Sequence, residues 1–251
     1  MRDIDFRTRL RGGQPVFGAW SLLPGAATAA ALGSSGADFV VVDLQHGAAV
    51  EADLPALMSA VSVSDATPLV RVRSSTFADI GRPLDLGAQG ILVPNVRGSD
   101  HVREVLAYCR YGPDGVRSYG RLLGAADDPL CLVVLETAEA LADLDQILRL
   151  TGVDGVYVGP KDLALSLDRA GPEDELEMSI VVRDVVRRCV DAGRPVGVHV
   201  SEGEVACRYR KEGATILTVA VDRDTLMRGV GAELLAAKSG GAADPDRDPD
   251  P

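Results

Sequence analysis

Short runs of β-branched and aliphatic residues recur along the chain, separated by longer stretches in which apolar residues fall at helical spacing. Eight runs read as strands: Val16–Trp20, Phe39–Asp43, Pro68–Val72, Gly90–Pro94, Cys131–Glu136, Gly155–Gly159, Pro195–His199 and Ile216–Ala220. Between them, Asp53–Val63, Ser99–Cys109, Ala138–Leu148, Leu176–Ala192 and Asp222–Ala237 are amphipathic and long enough to cross the outside of a parallel sheet. Repeated βα units with right-handed crossovers predict an α/β fold, a single (β/α)8 TIM barrel. An open doubly wound sheet is the competing arrangement. It more often carries a Gly-rich turn after its first strand, and Pro24-Gly25-Ala26-Ala27 is no G-x-G-x-x-G. The barrel is expected to take up residues 1–238. From Ser239 the chain turns to Gly, Pro and Asp with nothing to bury, which predicts a disordered tail over residues 239–251.

Composition narrows the function classes. A chain of 251 residues, 46% of them hydrophobic and 25% charged, suits one domain with a large core. With 26 basic against 37 acidic residues the formal net charge is -11, which repels a phosphate backbone and argues against nucleic acid as a partner. Cys109, Cys131, Cys189 and Cys207 show no C-x-x-C spacing and fall inside strand-like or helix-like runs, so buried free thiols are expected. The N-terminal MRDIDFRTRLRGG is charged and lacks an apolar core, and no uncharged apolar run approaches the ~18 residues of a membrane span. A cytoplasmic protein with no membrane association is the expectation.

In such a barrel, catalytic groups sit where strands end. Strand two ends in Asp43-Leu44-Gln45-His46-Gly47, strand three holds Arg71 and Arg73, strand five ends in Glu136-Thr137, strand six runs into Gly159-Pro160-Lys161-Asp162, and strand seven ends in His199. Any one of these has a bland reading, a helix cap or a satisfied histidine. Together they place carboxylates, a histidine and an arginine on one rim. Glu136 and Asp162 offer hard oxygen ligands suited to Mg²⁺ or Mn²⁺. Arg71 brings a forked cation for a carboxylate or ketone oxygen, and His46, if oriented by Asp43, can move a proton near neutral pH. A metal chelated by a 2-oxo acid lowers the barrier to an enolate, the electrophilic half of an aldol reaction handled without a Schiff base. Of the three lysines only Lys161 lies near the rim; as a Schiff-base nucleophile it would need desolvation inside the barrel.

The ordered set DLQHG, PLVRVR, PLDLGAQGILVPNV, YGPDGVRSYG, VLETAEAL and GVDGVYVGPKDLALSL, with the opening FGAWSLLPGAATAAAL, resembles the HpcH/HpaI aldolase and citrate lyase family across nearly all the chain before the tail. The resemblance is to its metal-dependent class II pyruvate aldolases, 4-hydroxy-2-oxoheptanedioate aldolase among them. It implies a phosphoenolpyruvate/pyruvate-type barrel and a lyase that cleaves or forms 4-hydroxy-2-oxo acids with Mg²⁺, Mn²⁺ or Co²⁺. By the same resemblance His46 is the base assisted by Asp43, Arg71 polarises the pyruvate carbonyl, Glu136 and Asp162 hold the metal, and Asp85 is a further active-site carboxylate. The backbone around Gly159 and Pro160 would hold the pyruvate carboxylate, and His199, not a usual member of the motif, either contacts a second substrate or caps strand seven. Partners implied are pyruvate or oxaloacetate, an aldehyde or other acceptor, and further copies of the chain in a hexamer or trimer.

Three departures stand beside the matches. Gln45 replaces a usual Glu, Val134 replaces a usual Gln two residues before Glu136, and the segment from Ser118 to Pro129 is shorter than the loop expected to cover the site. They keep two other readings open: a citrate-synthase-like or citryl-lyase-like reaction on oxaloacetate and an acyl thioester, and a barrel without turnover that binds a metabolite.

Overall fold

The computed structural model describes residues 2–120, 122–124 and 126–239; the tail expected from Ser239 onward lies, but for Ser239 itself, outside them. In chain order the elements are α1 (Arg2–Arg11), β1 (Val16–Ser21), α2 (Ala26–Gly33), β2 (Phe39–Asp43), α3 (Leu54–Ser62), β3 (Thr67–Arg71), α4 (Phe77–Asp85), β4 (Gly90–Val93), α5 (Ser99–Cys109), β5 (Leu130–Leu135), α6 (Ala138–Ala142), α7 (Leu144–Arg149), β6 (Gly155–Val158), α8 (Pro160–Ser166), α9 (Glu175–Asp191), β7 (Val196–Val198), α10 (Gly203–Lys211), β8 (Ile216–Val221) and α11 (Asp222–Lys238). The eight strands are all parallel and close in sequence order, β8 pairing with β1, so the fold is the (β/α)8 barrel.

Period-two alternation divides each strand between two cores. Val40 and Val42, Val70, Ile91, Cys131, Val133 and Leu135 face the helices. Phe39, Val41, Leu69, Leu92, Leu130, Leu132, Val134, Tyr157 and Ile216 fill the barrel interior with Val16 and Trp20. The interior is tight: a Cβ on Gly18 would lie 2.3 Å from the Phe39 ring, so glycine there makes room for the aromatic.

Helix α1 closes the barrel from below. Its Phe6 and Leu10 are buried in the interior core, Phe6 edge-on to Phe39 at 5.8 Å, while Arg9 pairs with Asp38 and Arg11 with Asp154. Among the side chains described in this helix, Phe6 and Leu10 are the large apolar residues buried between charged ones, which is why helical periodicity does not announce it. The segment expected as one helix over Ala138–Leu148 is two, broken at Asp143, whose carboxylate leaves the helix to accept the backbone N–H of Ser99 at 2.6 Å. Three cysteines are buried free thiols as expected; Cys207 is exposed, because it falls on the outward face of α10, where Ala206 is the buried residue. Among the described residues no helix is long and apolar enough to cross a membrane.

Candidate active site

The inward rows set up the site, because continuing each one past the apolar core reaches a polar residue: Phe39-Val41 leads to Asp43, Leu69 to Arg71, Leu130-Leu132-Val134 to Glu136, Tyr157 to Gly159, and Gly197 to His199. At this C-terminal end of the strands a cavity of about 410 Å³ is lined by His46, Arg71, Glu136, Gly159, Pro160, Lys161, Asp162 and His199 together with Trp20, Tyr157 and Val134. Seven of the nine expected site residues therefore meet in one space.

Asp43 lies beneath that space, fully buried. Its Oδ1 accepts Arg71 Nε at 3.0 Å and the backbone N–H groups of Gln45 and His46 at 2.9 and 3.1 Å; its Oδ2 accepts Arg71 Nη2 and Trp20 Nε1, the latter at 3.1 Å. Burial raises the carboxyl's proton affinity, yet the guanidinium, the indole and the His46 amide outweigh it and hold Asp43 below the usual carboxylate range. Arg71 is thereby fixed as a fork, its guanidinium 5.0 Å from the centre of the Trp20 ring. Asp43 grips the main chain of His46; among the described residues no hydrogen bond joins the two side chains, since both carboxylate oxygens are already engaged.

Glu136 is buried, and its Oε1 accepts the Asn95 N–H at 2.7 Å. Asn95 adopts a left-handed φ of 55°, which aims that amide at the carboxylate. Burial, with the charge of Asp162 adding, raises Glu136 above the ordinary glutamate range against the pull of the Asn95 amide. No hydrogen bond within the described residues reaches Oε2. It faces Gly159, where a Cβ would come within 2.9 Å of it. Gly159 thus keeps an open space in front of a free carboxylate oxygen. Among the described residues no group of three or more His, Cys, Asp or Glu forms a metal cage. A pair of carboxylates facing open space instead fits a hard divalent ion that keeps water and substrate oxygens as its other ligands.

Around Gly159 and Pro160 two main-chain amides face no partner within α8. The Gly159 N–H donates to Leu135 O at 3.2 Å and Pro160 has no N–H, so the amides available there are those of Lys161 and Asp162 in the first turn of α8. Asp85 does not join the cavity of its own chain. It ends α4, which runs back along the outside of the barrel, and its carboxylate accepts Arg117 Nη2 at 2.9 Å. The described residues of the segment from Ser118 to Pro129 lie there too: they precede β5, Leu122 N–H donates to Asp85 O at 3.1 Å, and Gln89 Nε2, just before β4, donates to Gly124 O at 3.0 Å. A connection from helix to strand sits at the N-terminal end of the barrel, so this loop does not cover its own chain's cavity.

Sequence reasoning did not single out Trp20, Tyr157, Asn95 or Asp222. The first two were findable as inward positions of β1 and β6. Asp222, buried at the start of α11, accepts Ser21 Oγ (3.1 Å) and the amides of Leu22 (2.9 Å) and Leu23 (3.0 Å), pinning the loop that follows Trp20.

The profile of the HpcH/HpaI aldolase/citrate lyase family matches residues 17–228. The chain belongs to that family. It is an enzyme of carbon–carbon bond chemistry. Within the family it is 32% identical over 255 residues to a 4-hydroxy-2-oxo-heptane-1,7-dioate aldolase of Shigella sonnei (strain Ss046), covering 96% of this chain and 97% of that one. It is 33% identical over 246 residues to a pyruvate aldolase of Rhizobium etli, covering 93% and 96%. The solved structure of the citrate synthase SbnG is similar at a TM-score of 0.83, with 27% identity over 93% of this chain and 97% of that one.

Proposed function

We propose that this HpcH/HpaI family member is a divalent-metal-dependent aldolase that forms and cleaves 4-hydroxy-2-oxo acids through the enolate of pyruvate. The observation that carries the reading is the pairing, in one cavity, of a buried glutamate with a free oxygen and an arginine already locked in place by Asp43. Glu136 and Asp162 would hold the ion. When bound, Mg²⁺, Mn²⁺ or Co²⁺ supplies a Lewis acid that offsets negative charge developing on the 2-oxo acid.

Arg71, whose Nε–Nη2 edge is taken by Asp43, donates its remaining N–H groups to the keto oxygen, where charge grows on enolisation, and costs no reorganisation because Asp43 and Trp20 hold it beforehand. The amides of Lys161 and Asp162, next to Gly159 and Pro160, orient the carboxylate. His46, on the loop that Asp43 organises, takes and returns the proton. Asp85, bound to Arg117, has no part in the cavity of its own chain.

Helix α11 supports a homo-oligomer. Of its 17 residues only Asp222 is buried, and Leu226, Met227, Val230, Leu234 and Leu235 are exposed. Further copies of the chain are the proposed cover, in a trimer or hexamer. Free cysteines and the absence of a long apolar helix among the described residues accord with a cytoplasmic setting.

The test is proton exchange at the pyruvate methyl group in D₂O, followed by NMR, with EDTA and with Mn²⁺ added back. Exchange that needs the metal is expected; none, with pyruvate demonstrably bound, would overturn the reading. A second reading, condensation or cleavage on oxaloacetate and an acyl thioester, is favoured by the similarity to SbnG. It predicts turnover with oxaloacetate and acetyl-CoA in place of pyruvate exchange.

A further inference from the structure

Glu136 is held by a segment that its own strand does not supply. The Asn95 N–H that reaches its Oε1 belongs to a strap, Asn95–Ser99, by which the chain leaves β4 and enters α5. Asn95 is left-handed, with φ of 55°, a conformation that a residue with a side chain keeps where its surroundings hold it. Side chains from three directions hold this strap. Thr137 Oγ1 donates to Val96 O at 2.7 Å, Asp143 accepts the Ser99 N–H at 2.6 Å, and the Arg97 N–H donates to His101 Nδ1 at 3.2 Å. His101 also reaches the loop that follows β3, where its Nε2 lies 3.0 Å from Ser75 Oγ. A backbone N–H can only donate, so Nδ1 is the unprotonated nitrogen and Nε2 carries its hydrogen toward Ser75. One ring thus ties the loop that follows the strand of Arg71 to the strap whose amide holds Glu136.

We propose that His101 is a positioning residue for the metal site: by joining the two loops it keeps the Asn95 amide on Glu136 Oε1 and leaves Oε2 turned to the open space before Gly159. The inference rests on the metal-dependent reading and adds to it a residue that does not line the cavity. His101 lies in the first turn of α5, where a side chain that accepts a nearby main-chain N–H also serves as a helix cap. The two roles differ in what they need and in what they move. A cap needs only the Arg97 N–H and acts on the stability of α5. The bridge needs Ser75 as well and acts on affinity for the ion. Partners bonded directly to a metal ligand set affinity by about 10–100-fold, and His101 acts one link further back, through the strap, so an effect of about tenfold is expected.

The experiment titrates metal-free protein with Mn²⁺ by calorimetry and records its Tm without metal, for the wild type, His101→Leu, His101→Gln and Ser75→Ala. Leucine should weaken Mn²⁺ binding about tenfold, and glutamine, which offers both an acceptor and a donor, should restore most of the loss. Ser75→Ala leaves the Arg97 bond, and with it the cap, in place; its Tm should stay near that of the wild type while Mn²⁺ binds about threefold more weakly. A leucine variant that loses Tm but keeps its affinity overturns the proposal, and so does an unmoved affinity in Ser75→Ala: His101 would then be a helix cap only. Ser75→Ala decides alone if the leucine variant does not fold. A wild type that binds no Mn²⁺ removes the metal-dependent reading and the inference with it; a wild type that binds it, with affinities unmoved in the variants, removes the inference alone.

Discussion

Replacing Asp43 is the sharpest test of how the site is built. Asp43→Ala deletes a fully buried carboxylate that meets two nitrogens of Arg71, the Trp20 indole and two backbone amides. Removing one partner of a buried ion pair leaves the other uncompensated, at about 3–5 kcal/mol. Arg71 is not sealed, however: its side chain is 11% exposed at the cavity floor, so water can relieve part of the loss. The expected cost is about 3 kcal/mol at pH 7, the lower end of that range. Asp43→Asn keeps the shape and one acceptor but turns an amide NH₂ toward the guanidinium, so it should lose nearly as much. The pH dependence has a definite sign. Asp43 is held below its unfolded value, so its contribution is complete above pH ~5 and is lost as pH falls through the still lower folded value. Urea midpoints of wild type and both variants, taken from pH 8 to pH 3 at one protein concentration, should differ by a constant amount above pH 5. The gap should narrow below about pH 4. An asparagine variant within about 1 kcal/mol of wild type at pH 7, or a gap that widens on acidification, would refute the assignment of Asp43 as the anchor of Arg71.

Glu136→Gln removes a charge that is buried beside Asp162; without metal it should raise Tm, while Mn²⁺-dependent pyruvate exchange should fall by more than about 100-fold and the metal-induced rise in Tm should vanish. Gly159→Ala places a Cβ 2.9 Å from Glu136 Oε2, and because Asn95 holds the other oxygen the carboxylate must tilt; Mn²⁺ affinity read by titration calorimetry should drop about tenfold with little change in Tm. Leu234→Glu with Leu235→Glu on α11 should shift the particle to a smaller assembly in light scattering; a wild type that is already monomeric would remove the proposed oligomer.

The barrel was legible because its strands are β-branched runs of similar length separated by helical spacing, and β1 to β8 start and stop within about a residue or two of those runs. Helices that carry a continuous apolar stripe were legible for the same reason: α5 spans Ser99–Cys109 as expected, and α9 differs by one residue at each end. α4 went unread although Ile80, Pro83 and Leu84 are buried on one face of it; α1 and α8 lack such a stripe. In α1 charged residues recur almost throughout, and Phe6, Leu10 and ion pairs of Arg9 and Arg11 hold its described part; in α8, with only seven residues, Leu163 and Ala164 alone are buried. Such elements exist because the barrel's ends need closing, a tertiary demand that local propensity does not record.

The site shows where strand phase is more informative than residue type. On the outward rows the strands stay apolar to their ends, at Val42, Val72, Leu135 and Val198, whereas the inward rows change to Asp43, Arg71, Glu136 and His199. The change of polarity in one phase alone marks the cavity, and it needs only the count along each strand. For Asp85 and the described residues of the Ser118–Pro129 segment, position along the chain gives a different answer: one ends an outer helix and the other leads into a strand, so both lie away from the cavity of their own chain. His199 shows the converse. It stands outside the motif, yet its inward phase on β7 brings it to Trp20 and Tyr157 inside the cavity.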